Sequence, residues 1–195
     1  MKNKKWLMVS AILLIAVLAL SGCSGKEGGS KGSKKLKETP ATDFSYLLNN
    51  DKGGIVITKY TGEGGDVVIP TQIEGYPVIR LGDRAFRALD TNGLYITSIV
   101  IPASVKEIGS DCFREAERLR SVTILGSGVT VYRTAFRDLG ALTELIFPDV
   151  ENALIPADDD PNAGTLYSKG AFYRSIQKLP LATREKLKSF GFDTF

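Results

Sequence analysis

The stretch SIVIPASVKEIGSDCF (98–113) decides the fold, because SVTILGSGVTVYRTAF (121–136) repeats it without a gap. Four pairs of matching positions are Ser98 with Ser121, Ile101 with Ile124, Ile108 with Val131 and Phe113 with Phe136. A unit of about 23 residues is too short to bury its own apolar face, so its copies must stack on one another. The two stretches therefore predict a solenoid.

Two further copies flank this pair. VVIPTQIEGYPVIRLGDRAF (67–86) has a longer middle, and a copy that begins with ELIFP (144–148) makes a long excursion before it resumes as YSKGAF (167–172). Each copy ends in a small residue followed by Phe: Ala85-Phe86, Cys112-Phe113, Ala135-Phe136 and Ala171-Phe172. We expect each Phe to stack on its copies in neighbouring turns, with the small residue leaving room for the ring. Cys112 falls in the small-residue column, which predicts a buried apolar side chain and not a nucleophile.

The strand positions of the copies alternate between apolar and mixed residues. Alternation of this kind predicts half-buried β-strands, with one set of side chains pointing inward. The predicted inward residues are Val67 and Ile69, Ile99 and Ile101, Val122 and Ile124, and Leu145 and Phe147. Pro70, Pro102 and Pro148 follow three of the strands and should end them, because proline has no N–H to donate to a sheet.

The succession of strand, Pro, apolar-x-x-Ile-Gly, x-x-Ala-Phe and then Leu resembles the BspA-type leucine-rich repeat, over about residues 55–172. Gly126–Gly128 and Tyr132, in the third copy, depart from this pattern. The resemblance implies an α/β, strand-rich fold, a leucine-rich-repeat solenoid of about four repeats of about 23 residues with terminal caps. It also implies a bacterial surface protein.

The N-terminal segment has the pattern of an export signal. Lys2, Lys4 and Lys5 precede an apolar run over residues 6–20, and Leu20-Ser21-Gly22-Cys23 resembles the bacterial lipobox. That resemblance implies cleavage between Gly22 and Cys23 and a diacylglycerol on the Cys23 thiol. Two alternatives are an ordinary signal peptide with an incidental cysteine and a single transmembrane anchor.

These patterns predict five segments along the chain. They are a lipoprotein signal peptide (1–22), a flexible lipidated tether (23–39), an N-terminal cap (40–66), the repeats (67–178) and a C-terminal capping helix (179–195). Within the first cap we expect Ile55-Val56-Ile57 to form an edge strand. The closing helix should cover 181–190, with Gly191 as its left-handed stop.

Composition excludes several classes of function. The chain has no His, which removes imidazole-based triads, dyads and zinc sites. Residues 39–195 carry 17 basic and 20 acidic side chains, which argues against binding to nucleic acid. We therefore expect no enzyme activity, no catalytic residues and no cofactor. Asp158-Asp159-Asp160 could bind calcium, although acidic loops are usually only solvated, and we predict no metal site.

Two columns could form surface stripes. Val68, Val100, Thr123 and Ile146 lie between the inward strand residues and should form an outward, β-branched band, either a binding face or simply residues that suit strands. Arg87, Arg114 and Arg137 each follow the repeat Phe and could form a basic ladder for anions. The adjacent Glu115 and Asp138 favour a paired, solvated face instead.

The sequence thus predicts a lipid-anchored protein of the bacterial cell envelope, exposed at the cell surface. Its function would be protein–protein interaction, with adhesion to host matrix or other cells as the first hypothesis. The alternative is an envelope scaffold that binds a partner of the same cell. The membrane would be contacted through the lipid on Cys23.

Overall fold

The computed structural model describes residues 36–157 and 170–192. The helices and strands found there belong to one compact unit, Lys37–Phe195. These residues form eleven strands, two 3-10 turns (Ala41–Asp43 and Asn92–Tyr95) and one helix, α1 (Leu181–Ser189). The strands are β1 (Phe44–Asn49), β2 (Gly54–Tyr60), β3 (Gly65–Val68), β4 (Gln72–Ile73), β5 (Tyr76–Leu81), β6 (Ile96–Ile101), β7 (Glu107–Ile108), β8 (Ser121–Ile124), β9 (Val129–Val131), β10 (Glu144–Ile146) and β11 (Leu154–Pro156).

The strands form two sheets, because successive strands of the repeats alternate between them. Sheet A has the order β1-β2-β5-β7-β9-β11, with β4 beside β5, and sheet B has the order β10-β8-β6-β3. Among the described residues every pairing between successive turns is parallel, and the hairpins β1–β2 and β4–β5 are antiparallel. The predicted strand-rich solenoid of about four repeats is confirmed.

The core fills the space between the two sheets. Val67, Ile99, Val122 and Leu145 point into it from sheet B, and Ile57, Leu81, Ile108 and Val131 from sheet A. Phe147, predicted to point inward, is only partly buried and contacts the ring of Phe190 at a centroid distance of 5.7 Å. The alternation of apolar residues therefore predicts the inward face correctly, except that Phe147 in the last turn is less buried than the others.

The repeat phenylalanines form one continuous stack through the core. The ring centroids are 5.0 Å apart for Phe86 and Phe113, 5.1 Å for Phe113 and Phe136, and 4.9 Å for Phe136 and Phe172. Tyr60 extends the stack at one end, 5.6 Å from Phe86, and Phe192 meets its other end edge-on. The spacing is close to that of neighbouring strands, so the rings and the backbones share one repeat distance.

The corner that carries these phenylalanines is held by its own backbone hydrogen bonds. The N–H of Phe86 donates to the carbonyl of Cys112 at 2.8 Å, and the N–H of Phe113 to that of Ala135 at 2.7 Å. Non-glycine residues with positive φ flank the Phe in successive turns: Arg84, Asp111 and Thr134 before it, and Glu115, Asp138 and Arg174 after it. A left-handed residue costs roughly 1–2 kcal/mol, so the hydrogen bonds and the buried ring must offset that strain.

One feature of the predicted N-terminal cap is wrong. Ile55-Val56-Ile57 lies inside β2, which pairs with β1 on one side and with β5 on the other, so it is not an edge strand. The edge is β1. The chain reverses through a turn that ends at Gly53, whose φ of 64° suits glycine, and this returns a second strand to the sheet.

A helix follows the last repeat at Leu181–Ser189, and Leu187 is its buried residue. Beyond it the N–H of Gly191 donates to the carbonyl of Lys188 at 3.0 Å, and that of Phe192 to Leu187 at 3.1 Å. Gly191 has a φ of 93°, so it takes the left-handed conformation that ends many helices. The chain reversal carries Phe192 onto the end of the phenylalanine stack.

Truncating one ring of the stack should be costly. Phe113 is fully buried between two other rings, so Phe113→Ala should lower the free energy of unfolding by about 3–5 kcal/mol. Phe113→Leu, which keeps most of the apolar volume, should cost clearly less. Urea unfolding followed by circular dichroism measures both. Equal effects of the two substitutions would contradict a role for the stack.

The glycine that follows Ile108 should tolerate no side chain. A Cβ on Gly109 would lie 2.7 Å from the backbone carbon of Gly82 and 2.7 Å from the nitrogen of Asp83 in the preceding turn. Gly109→Ala should therefore destabilise the protein by roughly 1–3 kcal/mol. Gly140→Ala is the matched control, because no heavy atom lies within 4 Å of its added Cβ. Thermal unfolding of the two variants checks this, and a similar midpoint for both would refute it.

Candidate binding surface

The four residues predicted to form an outward band lie side by side on sheet B. Val68 is the register partner of Val100, Val100 of Thr123, and Thr123 of Ile146. Ile146 is 47% exposed, and the other three are half-buried. These residues, named here the β-branched row, therefore cross all four strands of the sheet. Whether they bind a partner stays a prediction.

A second row lies beside it on the same face. Asp66, Ser98, Ser121 and Glu144 are register partners across the same strands and form what we name the polar row. The hydroxyl of Ser98 donates to Asp66 Oδ1 at 2.6 Å, and that of Ser121 to Glu144 Oε2 at 2.7 Å. This row was not predicted from the sequence. The alignment of Ser98 with Ser121 in the two repeats could have indicated that a polar row crosses sheet B.

A bulge gives Asp66 a second hydroxyl. The register shifts between Gly65 and Asp66, which leaves Thr97 as an extra residue opposite them. The Thr97 hydroxyl donates to Asp66 Oδ1 at 3.0 Å. The hydrogen bond from Ser98, and then that from Thr97, lower the pKa of Asp66 below its usual value, and slight burial opposes them. Asp66 therefore carries its negative charge throughout the neutral range.

One edge of this face is covered by the chain that precedes the first sheet. The N–H of Thr39 donates to the carbonyl of Val68 at 2.8 Å, and Thr39 Oγ1 accepts from the N–H of Val68 at 3.0 Å. Glu38 Oε1 accepts from the N–H of Thr71 at 3.0 Å. Residues 38 and 39 thus fasten the end of the predicted tether (23–39) to the β3 edge of sheet B.

The predicted basic ladder lies on the phenylalanine corner and is matched by carboxylates. Arg87 contacts Asp90 at 3.4 Å and Glu115 at 3.7 Å, Arg114 contacts Glu115 at 3.2 Å and Asp111 at 3.8 Å, and Arg137 contacts Asp138 at 3.0 Å. The side chains of the three arginines are only 18–28% exposed. The structure therefore shows the three arginines paired with carboxylates, as the neighbouring acidic residues favoured. Anion binding by the ladder stays a prediction.

Sheet A carries an ion cluster that was not predicted from the sequence. Glu107 forms ion pairs with both Lys52 and Arg80, the latter at 2.5 Å. Burial alone would raise the pKa of Glu107, but the hydrogen bonds and charges of the two bases hold it below its usual value. Arg80 also lies over the ring of Tyr132 at 5.1 Å and contacts Asp83 at 3.1 Å. Lys52, Arg80 and Glu107 line a depression of about 220 Å³ together with Lys106, whose ammonium donates to the carbonyl of Ser127.

Cys112 has no exposed surface, and burial raises the pKa of its thiol well above the usual value. Both observations agree with the predicted structural role. Gly22 and Cys23, and the acidic run 158–160, lie outside the described residues. Within 36–157 and 170–192 no three His, Cys, Asp or Glu side chains gather closely enough to hold a metal ion. No helix of the same ranges has the length and apolar character to cross a membrane.

The hydroxyl contacts of Asp66 predict a pH effect. Its folded pKa lies below its unfolded pKa, so it stabilises the fold at neutral pH, and this stabilisation is lost as the pH falls through the folded value. We expect carboxyl-carbon NMR to give a pKa below the usual 3.9 for Asp66 and a higher one in Ser98→Ala. Ser189→Ala removes an exposed hydroxyl on α1, at the other end of the repeats, and serves as control. An unchanged pKa in Ser98→Ala would contradict the assignment.

The comparisons with known proteins agree with this geometry. The family model described as "BspA type Leucine rich repeat region (6 copies)" matches residues 79–156. A leucine-rich repeat protein of T. pallidum is 35% identical over 57% of this chain, with a TM-score of 0.52. This chain covers only 50% of that protein's length. No curated protein matches this chain.

Two further solved structures are similar. A leucine-rich repeat protein from Bacteroides capillosus ATCC 29799 is 22% identical, with a TM-score of 0.52, over 72% of this chain and 95% of that one. A leucine rich cell surface protein from Faecalibacterium prausnitzii A2-165 is 34% identical over 58% of this chain and 31% of that one, with a TM-score of 0.48. Residues 79–156 of this chain are therefore similar to the BspA-type leucine-rich repeat, and the stacked turns agree with that match.

Proposed function

We propose that this chain is a lipid-anchored protein of the bacterial cell surface that binds a protein partner through the outer face of sheet B. One observation carries the proposal: the β-branched row runs in register across all four strands of that sheet. Apolar side chains that line up at a protein surface often mark contact sites, and Ile146 is the exposed end of this row. We assign the chain no catalytic step.

The charges beside the row give the face a preference for its partner. Asp66 and Glu144, near the two edges of sheet B, are hydrogen-bonded by serine hydroxyls and contact no base within the described ion pairs. A partner with apolar side chains flanked by Lys or Arg would match both rows. The carboxylates of sheet A are different, because Glu107 is already engaged by two bases.

Anchoring follows from the first 39 residues. We propose that residues 1–22 are removed as a signal peptide, that Cys23 is acylated and that 23–39 serve as the tether. Lipid chains give strong attachment, since each buried methylene contributes about 0.8 kcal/mol. The cap (40–66), repeats (67–178) and closing segment (179–195) would then extend from the membrane, with the tether joined to sheet B through Thr39.

Adhesion to host matrix or to other cells is the role we propose for this binding. A scaffold role in the cell's own envelope would use the same face with a different partner. The identity of the partner therefore separates the two roles.

The test is binding of the full chain carrying Cys23→Ser, which cannot be acylated at that position, to immobilised matrix proteins and glycans. A triple variant, Val100→Lys, Thr123→Lys and Ile146→Lys, alters the β-branched row. A control variant, Val56→Lys, Thr130→Lys and Ile155→Lys, makes the same three changes in the corresponding outward row of sheet A. We expect saturable binding to one host protein that weakens at least about tenfold, or 1.4 kcal/mol, only in the sheet B variant.

Two outcomes would count against the proposal. Equal binding by both triple variants would remove the β-branched row as the binding face. If the folded chain binds none of the immobilised matrix proteins and glycans, adhesion to these host components is refuted. Circular dichroism of each variant establishes that it is folded.

A further inference from the structure

The first strand of sheet A is paired on one side only. β1 pairs antiparallel with β2, and no other strand in the described part of the chain pairs with its second side. A free strand edge is a row of backbone donors and acceptors that can pair with another strand. Folded proteins usually protect such edges with charges, prolines or a covering segment.

β1 carries no protective charge or proline of its own, and the one irregularity in its pairing with β2 is a register shift between Ser45 and Tyr46. Its six residues, FSYLLN, include no charged residue, no proline and no glycine. The outer edges of the two main sheets are treated differently elsewhere: Thr39 covers β3, β10 includes the charged Glu144, and β11, the opposite edge of sheet A, ends in Pro156. The contrast indicates that the β1 edge is kept open for pairing.

The side chains of β1 also leave apolar surface exposed. Leu47 is 66% exposed and Leu48 is 41% exposed. Leu47 is the register partner of Val56 on the outer face of sheet A, so it extends apolar surface to the very edge. Leu48 is opposite the buried Ile55 and points to the inner face, at the end of the solenoid where the stack stops.

We propose that β1 pairs antiparallel with β1 of a second copy of this chain, with Leu47 at the two-fold axis. An axis normal to the sheet keeps the inner faces of both copies on the same side, so residues pair only with residues of their own face. In this register Leu47 lies opposite Leu47, Ser45 opposite Asn49, and Tyr46 opposite Leu48. Apolar residues meet apolar residues, and polar residues meet polar ones.

The two neighbouring registers that also preserve the faces fit less well. Centred on Tyr46, the strands would place Ser45 opposite Leu47, and centred on Leu48 they would place Leu47 opposite Asn49. Asn49 supports the first register, because its Oδ1 already accepts from the N–H of Lys52 at 3.0 Å and its amide nitrogen is left to donate to Ser45. Sheet A would then run through both copies, and its open edge would disappear. This inference does not depend on the proposed function, which concerns sheet B.

Cysteine cross-linking tests the register directly. Residues directly opposite in antiparallel strands have Cβ atoms about 4.5–5.5 Å apart, which is within reach of a disulfide after a small adjustment. In the full chain carrying Cys23→Ser, we expect Leu47→Cys to form a covalent dimer under mild oxidation. Ser45→Cys alone should not, whereas a mixture of Ser45→Cys and Asn49→Cys should cross-link. Cys112 is fully buried and stays reduced in this assay.

Sedimentation velocity tests the association without a cross-link. The chain carrying only Cys23→Ser should dimerise in a concentration-dependent manner, and Leu47→Lys should shift it to monomer. Leu181→Lys is the matched control, because Leu181 is 61% exposed on the helix at the opposite end of the solenoid and should leave the dimer intact. Thermal unfolding should show that both variants are folded.

Several results would overturn the inference. A chain that stays monomeric at all concentrations would contradict the dimer. Residues 1–35 of the same chain would produce that result if they covered β1. A dimer unaffected by Leu47→Lys would place the interface elsewhere. Cross-linking of Ser45→Cys alone as efficient as that of Leu47→Cys would refute the register.

Discussion

The whole solenoid depends on one distance, the spacing at which backbone ladders hold successive turns. Three ladders fix it, one in each sheet and one along the phenylalanine corner. The rings of Phe86, Phe113 and Phe136 stack at 5.0 and 5.1 Å because their backbones are spaced in the same way. Gly109 lacks a side chain for the same reason, since the preceding turn lies too close for a Cβ. Packing, turn chemistry and surface rows all follow from this common period.

The apolar columns of the sequence were sufficient to predict the stacked turns, because a residue that repeats in register must meet its own copy. They did not predict the order of strands at the start of sheet A. Ile55-Val56-Ile57 has the pattern of any half-buried strand, and only the hairpin shows that β1 lies outside it. The left-handed residues were also missed, because Arg84 and Thr134 are not types that favour that conformation; tertiary contacts impose it.

The candidate surface was likewise predictable from the sequence only in part. The β-branched row was predictable because it alternates with inward residues that repeat at a fixed offset. The hydroxyl contacts of Asp66 were not, because the bulge that admits Thr97 depends on how β3 pairs with β6. Likewise Glu107 and Arg80 are far apart in the sequence, and only the stacking of β5 on β7 brings them together. Contacts between turns are therefore predictable where residues repeat at a fixed offset, and they are not where the register between two turns is irregular.

The hydrogen bonds of the phenylalanine corner all run in one sense. Tyr60 donates to Ala85, Phe86 to Cys112, and Phe113 to Ala135, so each N–H faces the C-terminal end of the stack and each accepting carbonyl faces the N-terminal end. In the sheets the peptide dipoles alternate and largely cancel, but along this corner they add, as they do in a helix. The solenoid therefore has an electrical polarity along its axis, negative toward β1 and positive toward α1. Each added repeat would lengthen that dipole, even if its side chains carried no net charge.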